Sequence, residues 1–459
     1  MPRGPWQEEG DLLVVGASVC GLAAAIMTAD RGCRTIVLER TRELGGGAAT
    51  ESEVLAAAGS RFQREAGIAD DPARLVEDLR SAHHAVDAEL ASTLAAEGAP
   101  LVAWLADRCG TQVELLASYA PAGHSVARLH LPGERGGATL LADLTRAVTR
   151  HSHVTIRTNT VVERLVRDDS GAVRGVGLRA DRRGGPHELA GRVLLACGGF
   201  AGDDALVREH IPAVAELPYS GTGRAMGDGL RLGREVGASL RRLGGCLVTP
   251  FLAMPGQLAV TAPLVEQGAI LVDQRGQRFA DETGEHLALA TTVRARPGRV
   301  AYLLFDERIA ASARNADPFF ARVVLPRTGR RGATLEDIAK QFELDLSGLR
   351  TTIEGSIGQG GDPFGRRKVP GPFEPPFHAV RVTGGRLRTL GGLAVDANAR
   401  VVDAEGRAIP GLYAAGGAIA GLAGEVTSGV LVGTDVLAAL GLARRAALDV
   451  IAQVTTQAE

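Results

Sequence analysis

Short apolar runs closed by glycine or charge alternate along this chain with longer stretches whose apolar positions recur every three to four residues, the mixture expected of an α/β protein. The first run, 12–15, is followed by a glycine turn, a helical stretch and a second apolar run at 35–38. Asp70-Asp71-Pro72 has the composition of a helix start and opens a helical pattern through about residue 97; 100–109, carrying Trp104, reads as a further helix, and 139–151 as another. Residues 154–157, 161–167 and 173–179 alternate as strands, the last two joined by the hairpin signal Asp169-Ser170-Gly171. A buried strand at 192–196 ends in Cys197-Gly198-Gly199-Phe200. From roughly 244 to 388 the elements shorten and prolines gather, most densely at 369–376, which predicts an inserted domain between 1–243 and 389–459. Strands at 393–395 and 401–402, a strand running into a glycine turn at 411–417, and a final helix from near Gly429 complete the pattern.

The opening stretch, DLLVVGASVCGLAAAIMTADRGCRTIVLER, is the most informative. Gly16, Ser18 and Gly21 open a helix directly after a strand, and Glu39 closes the next strand about twenty residues on. Such a turn aims the free N–H groups and positive dipole of a helix N-terminus at whatever lies above it, which suits a pyrophosphate, while the acid suits an adenosine ribose. Gly16 permits the tight turn, Gly21 the close helix-to-strand packing, and Ser18 replaces the middle glycine with a small residue. A dinucleotide is the expected ligand.

Composition narrows the field further. With 459 residues, a net charge of −2 and a pI near 6.6, the chain is long enough for two domains and offers no basic surface for nucleic acid. The ten N-terminal residues lack the apolar core of a secretory signal, and no stretch reads as an uninterrupted membrane span, so a cytoplasmic location is expected. Five scattered cysteines, without a C-x-x-C pair, argue against a metal site or a disulfide framework.

Nearly the whole chain also carries a family resemblance. VVGASVCGLAAAI, Glu39, LGGGAATES, GHSVARLH, LLACGGF, MGDGLRLGREVGA, GAILVDQRGQRFADE and TLGGLAVDANARVVDAEGRAIPGLYAAGG resemble the flavoprotein family of fumarate reductase, tricarballylate dehydrogenase, urocanate reductase and 3-ketosteroid dehydrogenase. The resemblance implies FAD in a Rossmann-like domain of glutathione-reductase type, with an inserted α+β capping domain. It implies cofactor contacts at Gly16, Ala17, Ser18, Gly21, Glu39, Arg40, Gly45, Gly46, Gly47, Ser52, Val162, Cys197, Gly198 and Asp228. Gly416 and Gly417 resemble the turn approaching the ribityl chain; Ser428, Val430 and Leu431 resemble the turn under the flavin pyrimidine. No histidine lies at 46–52, so the flavin is expected to be non-covalent.

The catalytic positions depart from that family. Its dicarboxylate-binding histidine corresponds to Thr249, its proton-donating arginine to His286, the relay acid and arginine to Ala262 and Val265, and the remaining substrate-binding histidine and arginine to Leu387 and Thr427. Two carboxylates held in a dry cleft without cations would cost several kcal/mol, so a small, less polar substrate is expected instead of succinate or fumarate. His286, with a side chain suited to proton transfer near neutrality, and Glu53, a base or a ribityl contact, are the candidate acid–base groups, and Thr249 and Thr427 complete the candidate catalytic residues. Glu282 and Glu285 read as hinge or surface acids, and His124 and Arg128 as braces of the cap and substrate pocket. The expected chemistry is hydride transfer from a substrate carbon to flavin N5 with loss of the neighbouring proton, or the reverse ene reduction, the electron acceptor being unnamed. An oxidase or amine dehydrogenase on the same fold, and a flavin-binding protein that has lost catalysis, are the alternatives.

Overall fold

The computed structural model describes residues 8–83, 86–179, 187–221, 223–355, 362–367 and 372–458, so the start of the proline-rich 369–376 segment lies outside the described residues. Two compact units emerge. The first holds the chain through Pro212, then Gly221–Cys246, and everything from Arg388 onward; the second holds Ala213–Ser220 and Leu247–Leu387.

The first unit is built on the predicted strand–turn–helix–strand. Strand β1 (Glu8–Val15), helix α1 (Val19–Ala29) and strand β2 (Thr35–Leu38) form a parallel unit, with Leu12 opposite Thr35 and Val15 opposite Leu38. Helices α2 (Pro72–Ala82), α3 (Ala88–Asp107) and α4 (Gly137–Thr149) follow. Strand β3 (Val154–Arg157) extends the sheet beyond β2, the hairpin β4 (Val162–Arg167) and β5 (Val173–Leu178) leads into β6 (His187–Leu195), and β7 (Arg400–Val402) and β8 (Ala408–Ala414) return from the far end of the sequence. The order is β7-β8-β6-β1-β2-β3, parallel throughout except for β7, with β5 antiparallel on β6. Both central strands are continuous apolar runs, Leu12 to Val15 and Val193 to Leu195, because a parallel sheet is covered on both faces. Helix α1 covers one face and is itself packed by the last helix, α5 (Thr434–Ala458), so ten of its eleven residues are buried.

Three sequence readings change here. The helical pattern from residue 72 to 97 is two helices: His83 ends α2 in an extended conformation, and the Asp87 carboxylate restarts α3 by accepting the Leu90 N–H at 3.0 Å. The predicted helix at 100–109 is the second half of α3, which accommodates Pro100 in its interior. The last helix begins at Thr434, not near Gly429, where the Thr434 hydroxyl and N–H both bond the Leu431 carbonyl, at 2.7 and 3.2 Å.

A second buried feature of this unit is polar. Arg128 is fully buried; its Nε and Nη2 grip both oxygens of Asp70 at 3.0 Å, and Nη1 bonds Asp78 at 2.5 Å. Burial pushes the Asp78 carboxyl up, but hydrogen bonds from the Ser125 N–H and hydroxyl and the Arg128 charge outweigh it and hold Asp78 below its usual range. Arg128 is therefore a tie within the core of the first unit; the expected brace of a cap is corrected.

The second unit is a mixed sheet-and-helix layer. Its strands run in the order Leu258–Ala259, Cys246–Ala253, Phe377–Thr389, Ala301–Asp306, Ile270–Val272, with Gly329–Gly332 also paired to Phe377–Thr389. Leu303, Leu304, Phe305, Val380 and Val382 make its core, with Ile309 and Ile338 from the covering helices. Glu282, expected at a hinge or surface, is 1% exposed: its carboxylate takes the Leu271 N–H at 2.8 Å, Arg278 at 2.7 Å and Arg366 at 3.0 Å. A buried acid with two arginines and a backbone donor is a structural tie. Glu285 caps the helix His286–Arg294, accepting the N–H groups of Leu287 and Ala288 at 2.9 and 2.7 Å.

Candidate functional site

The site of the first unit grows from the turn between β1 and α1. Gly16 has φ +104°, and a Cβ there would lie 2.6 Å from the Ala196 carbonyl oxygen; a Cβ on Gly21 would lie 2.2 Å from the Gly16 oxygen. Only glycine fits either position, so α1 starts hard against β6 with its first-turn N–H groups directed outward. Ser18 earns its place by capping: its hydroxyl accepts the Gly21 N–H at 3.3 Å and donates to the Ala196 carbonyl at 2.8 Å, tying the turn to β6.

Glu39 closes β2 beside this turn and is 4% exposed. Its Oε2 accepts the Ala17 N–H at 3.0 Å, and its Oε1 accepts the Thr41 N–H and hydroxyl, both at 2.9 Å. A carboxylate has about four acceptor sites, so the geometry leaves one, on Oε2, for an incoming hydroxyl. A glycine-cornered helix N-terminus with an oriented acid at its side fits a ribose-linked diphosphate.

Around this centre the structure brings together most of the sequence-predicted cofactor residues. Gly45 donates to the Ala17 carbonyl at 2.8 Å, which lays Gly45, Gly46 and Gly47 alongside the turn. Arg40 and Asp228 form an ion pair with each other. Cys197 and Gly198, at the end of β6, and Gly416, whose Cβ would lie 2.6 Å from the Cys20 sulfur, surround the first turn of α1, while Gly417 abuts the Gly199 N–H. Burial pushes both thiols up, Cys20 to about 11 and Cys197 to about 12, so neither is a nucleophile near neutrality. Val162 is buried at the start of β4. Ser428 and Val430 are half-buried in the loop before α5. Two histidines hold that loop: His83 Nε2 accepts the Leu431 N–H at 3.4 Å, and His124 bonds the Val432 carbonyl through Nε2 at 2.9 Å. Burial drives His124 down to about 4, and burial with the nearby Arg242 charge lowers His83, so both are neutral near pH 7.

The sequence reading missed the charge cluster at the other edge of the site. Arg388 is ion-paired to Glu51 through Nη1 and to Asp435 through Nη2, while its buried Nε has no partner among the described residues. Asp435 sits in the first turn of α5, and the Glu51 carboxylate lies 3.5 Å from where a Gly47 Cβ would stand. Glu53 joins neither bridge. Burial first, then the Glu51 charge, raises its carboxyl to about 8, with Arg388 acting in the opposite direction. Ser52 is half-buried between the two acids. The only sequence signal for this cluster was the presence of two acids, Glu51 and Glu53, straight after a glycine run.

Two further candidate catalytic residues, Thr249 and His286, belong to the second unit. His286 begins its helix half-buried, with Nδ1 3.1 Å from the Val248 carbonyl. A carbonyl only accepts, so Nδ1 is the donor of this bond. Thr249 is buried, and its hydroxyl accepts the Phe251 N–H at 3.1 Å. Thr427 is half-buried in the first unit.

A doubly covered parallel sheet with a glycine-cornered helix N-terminus and a C-terminal segment returning to it defines an FAD-dependent oxidoreductase. Residues 11–429 match the model of the FAD binding domain family, and the chain belongs to that family. The cytochrome-type fumarate reductase of Shewanella frigidimarina is 29% identical over 92% of this chain and 72% of its own length. The vinyl phenol reductase of Lactiplantibacillus plantarum is 26% identical over 93% of each chain, and the urocanate reductase of Eggerthella lenta 26% identical over 88% of this chain and 69% of its own. Among solved structures, the open conformation of a flavocytochrome c3 fumarate reductase superposes with a TM-score of 0.84 at 25% identity, covering 98% of this chain and 79% of that one. Among the described residues no helix is long and apolar enough to cross a membrane.

Proposed function

We propose that this chain binds FAD non-covalently and catalyses the dehydrogenation of a carbon–carbon bond, or the reverse reduction of an alkene, on a small substrate that lacks paired carboxylates. The observation that carries the substrate class is the state of Arg388. It is the cation beside the glycine run, and its two terminal nitrogens are already committed to Glu51 and Asp435. An anionic substrate entering there would meet two carboxylates and a guanidinium whose charge they already offset, so no net positive charge is left to hold a second pair of carboxylates. The reductases that resemble this chain are named for fumarate, urocanate and vinyl phenol, and an uncharged alkene such as the last suits this edge of the site.

Bound FAD supplies the two-electron, hydride-accepting or hydride-donating chemistry. The chain's own residues do the rest. The N-terminus of α1 holds the diphosphate, Glu39 orients the ribose, and the neutral histidines His83 and His124 fix the loop at Leu431 and Val432. Glu53, in the same unit as the cradle, is the candidate for the substrate proton.

The test is anaerobic. Holo-protein is reduced with dithionite and mixed with alkenes, and return of the flavin absorbance is followed. Neutral alkenes are expected to re-oxidise it, whereas fumarate should do so at least about 100-fold more slowly than the best neutral alkene; fumarate turnover at an ordinary rate, roughly 1–1,000 per second, overturns the substrate class. The ribose contact has its own check. Glu39→Gln places an amide N–H against the N–H donors of Ala17 and Thr41, and FAD affinity is expected to fall about tenfold, near 1.4 kcal/mol, in a fluorescence titration of deflavinated protein. Unchanged affinity would remove Glu39 from the cofactor site.

A further inference from the structure

We propose that Glu53 is a proton site linked to the flavin: its carboxyl lies at the edge of the cofactor cradle and gains or loses one proton as the charge on the bound flavin changes. This rests on the reading that FAD occupies the cradle, and it gives that site a residue acting on the cofactor itself.

Position comes first. The segment 45–53 leaves the nucleotide turn, tethered there by the Gly45 bond to the Ala17 carbonyl, and Cys20 in the first turn of α1 lies close enough to sense the Glu53 charge. Glu53 thus follows the glycine run in the chain and lies within electrostatic reach of the first turn of α1.

Its backbone is held there against preference. Glu53 has φ +50°, a left-handed conformation that a side-chain-bearing residue avoids. The N-terminus of α4 clamps the segment: the Gly137 N–H bonds the Glu51 carbonyl at 3.1 Å, and a Cβ on Gly137 would stand 1.9 Å from the Ala48 oxygen and 2.5 Å from Glu53 Cγ. The N-terminus of α4 thus packs directly against the Glu53 side chain.

The surrounding charges then set its response. Three carboxyls, Glu51, Glu53 and Asp435, share one cation, Arg388, and both bridges to that cation exclude Glu53. Burial and the charges of Glu51 and Asp435 disfavour a third anion, while Arg388 and the N-terminal dipole of α4 favour it. Glu53 lines an apolar cavity together with Leu55, Val102, Leu140, Val436 and His130, and burial lowers His130 to about 4, so no cation arises there near neutrality. The result is a carboxyl with a midpoint of about 8, balanced where a change of charge nearby moves its proton. When two electrons enter the flavin, from substrate or from dithionite, the added negative charge raises the affinity of Glu53 for its proton. A Glu53 carboxylate then takes one proton from water, forming an O–H bond, and returns it on re-oxidation.

Anaerobic redox titration of the holo-protein between pH 6.5 and 9.5 tests this. The wild type is expected to take up one extra proton per two electrons above about pH 8, seen as a steeper fall of midpoint potential with pH, and the oxidised flavin spectrum should shift with the same midpoint. Glu53→Gln, which mimics the protonated acid, should abolish both breaks. Glu51→Gln removes a charge that raises Glu53 and should move the break to lower pH. A wild type with FAD bound and an unbroken slope, a break that survives in Glu53→Gln, or one that stays put in Glu51→Gln overturns the proposal. If Glu53→Gln retains no FAD, the Glu51→Gln shift decides alone. A wild type that takes up no FAD overturns the underlying reading instead.

Discussion

Gly21→Ala is expected to yield a folded protein that has lost its FAD, with affinity reduced on the order of 100-fold, about 2.8 kcal/mol. The added methyl would sit 2.2 Å from the Gly16 carbonyl oxygen, 3.0 Å from Val14 Cγ1 and 3.2 Å from the Ala196 Cβ. Two of those neighbours belong to β1 and its turn and the third to the end of β6, so none can retreat without moving the sheet. The helix must shift instead, and its N–H groups then no longer converge on a diphosphate. The rest of α1 is packed along its length by apolar side chains and α5, so the fold survives. Fluorescence titration with FAD, alongside far-ultraviolet circular dichroism, separates the two effects. Wild-type affinity in Gly21→Ala would place the cofactor elsewhere.

Arg128→Met should be the most damaging single change to stability, about 3–5 kcal/mol, because it leaves two carboxylates buried without their cation. Asp70 and Asp78 expose 0% and 12% of their side chains, so water cannot replace the guanidinium. The pH dependence has a definite sign. Since the folded structure holds the Asp78 carboxyl below its usual range, the stability it contributes is present above the unfolded-state value near 4 and is lost as pH falls through the folded one. Urea unfolding should therefore show the largest gap between wild type and Arg128→Met above about pH 5, narrowing toward pH 3. A constant gap would mean that the loss is one of packing rather than charge.

The parts of this protein that were legible in its sequence are those set by local physics. Continuous apolar runs marked the parallel strands, and Gly16 and Gly21 marked the turn, because in each case the requirement falls on neighbouring residues. Helix punctuation was harder. Pro100 carried a start signal yet lies inside α3, where tertiary packing overrides the missing hydrogen bond, and the restart at Asp87 was hidden inside a stretch of uninterrupted helical periodicity. The charged ties were not legible at all. The roles of Arg128, Glu282 and Arg388 depend on partners that sequence does not show: Glu51 and Asp435 reach Arg388 from opposite ends of the chain. Glu53 stands out in the sequence because the resembling family keeps a small residue at that position, but the charges that surround it come only with the fold.

The central claim, that a dinucleotide diphosphate rests on the N-terminus of α1, is tested most directly by the absorbance spectrum of the purified protein before and after incubation with FAD and removal of the excess. The expected result is a flavin spectrum at about one FAD per chain. A colourless protein that retains no FAD after that incubation would contradict it.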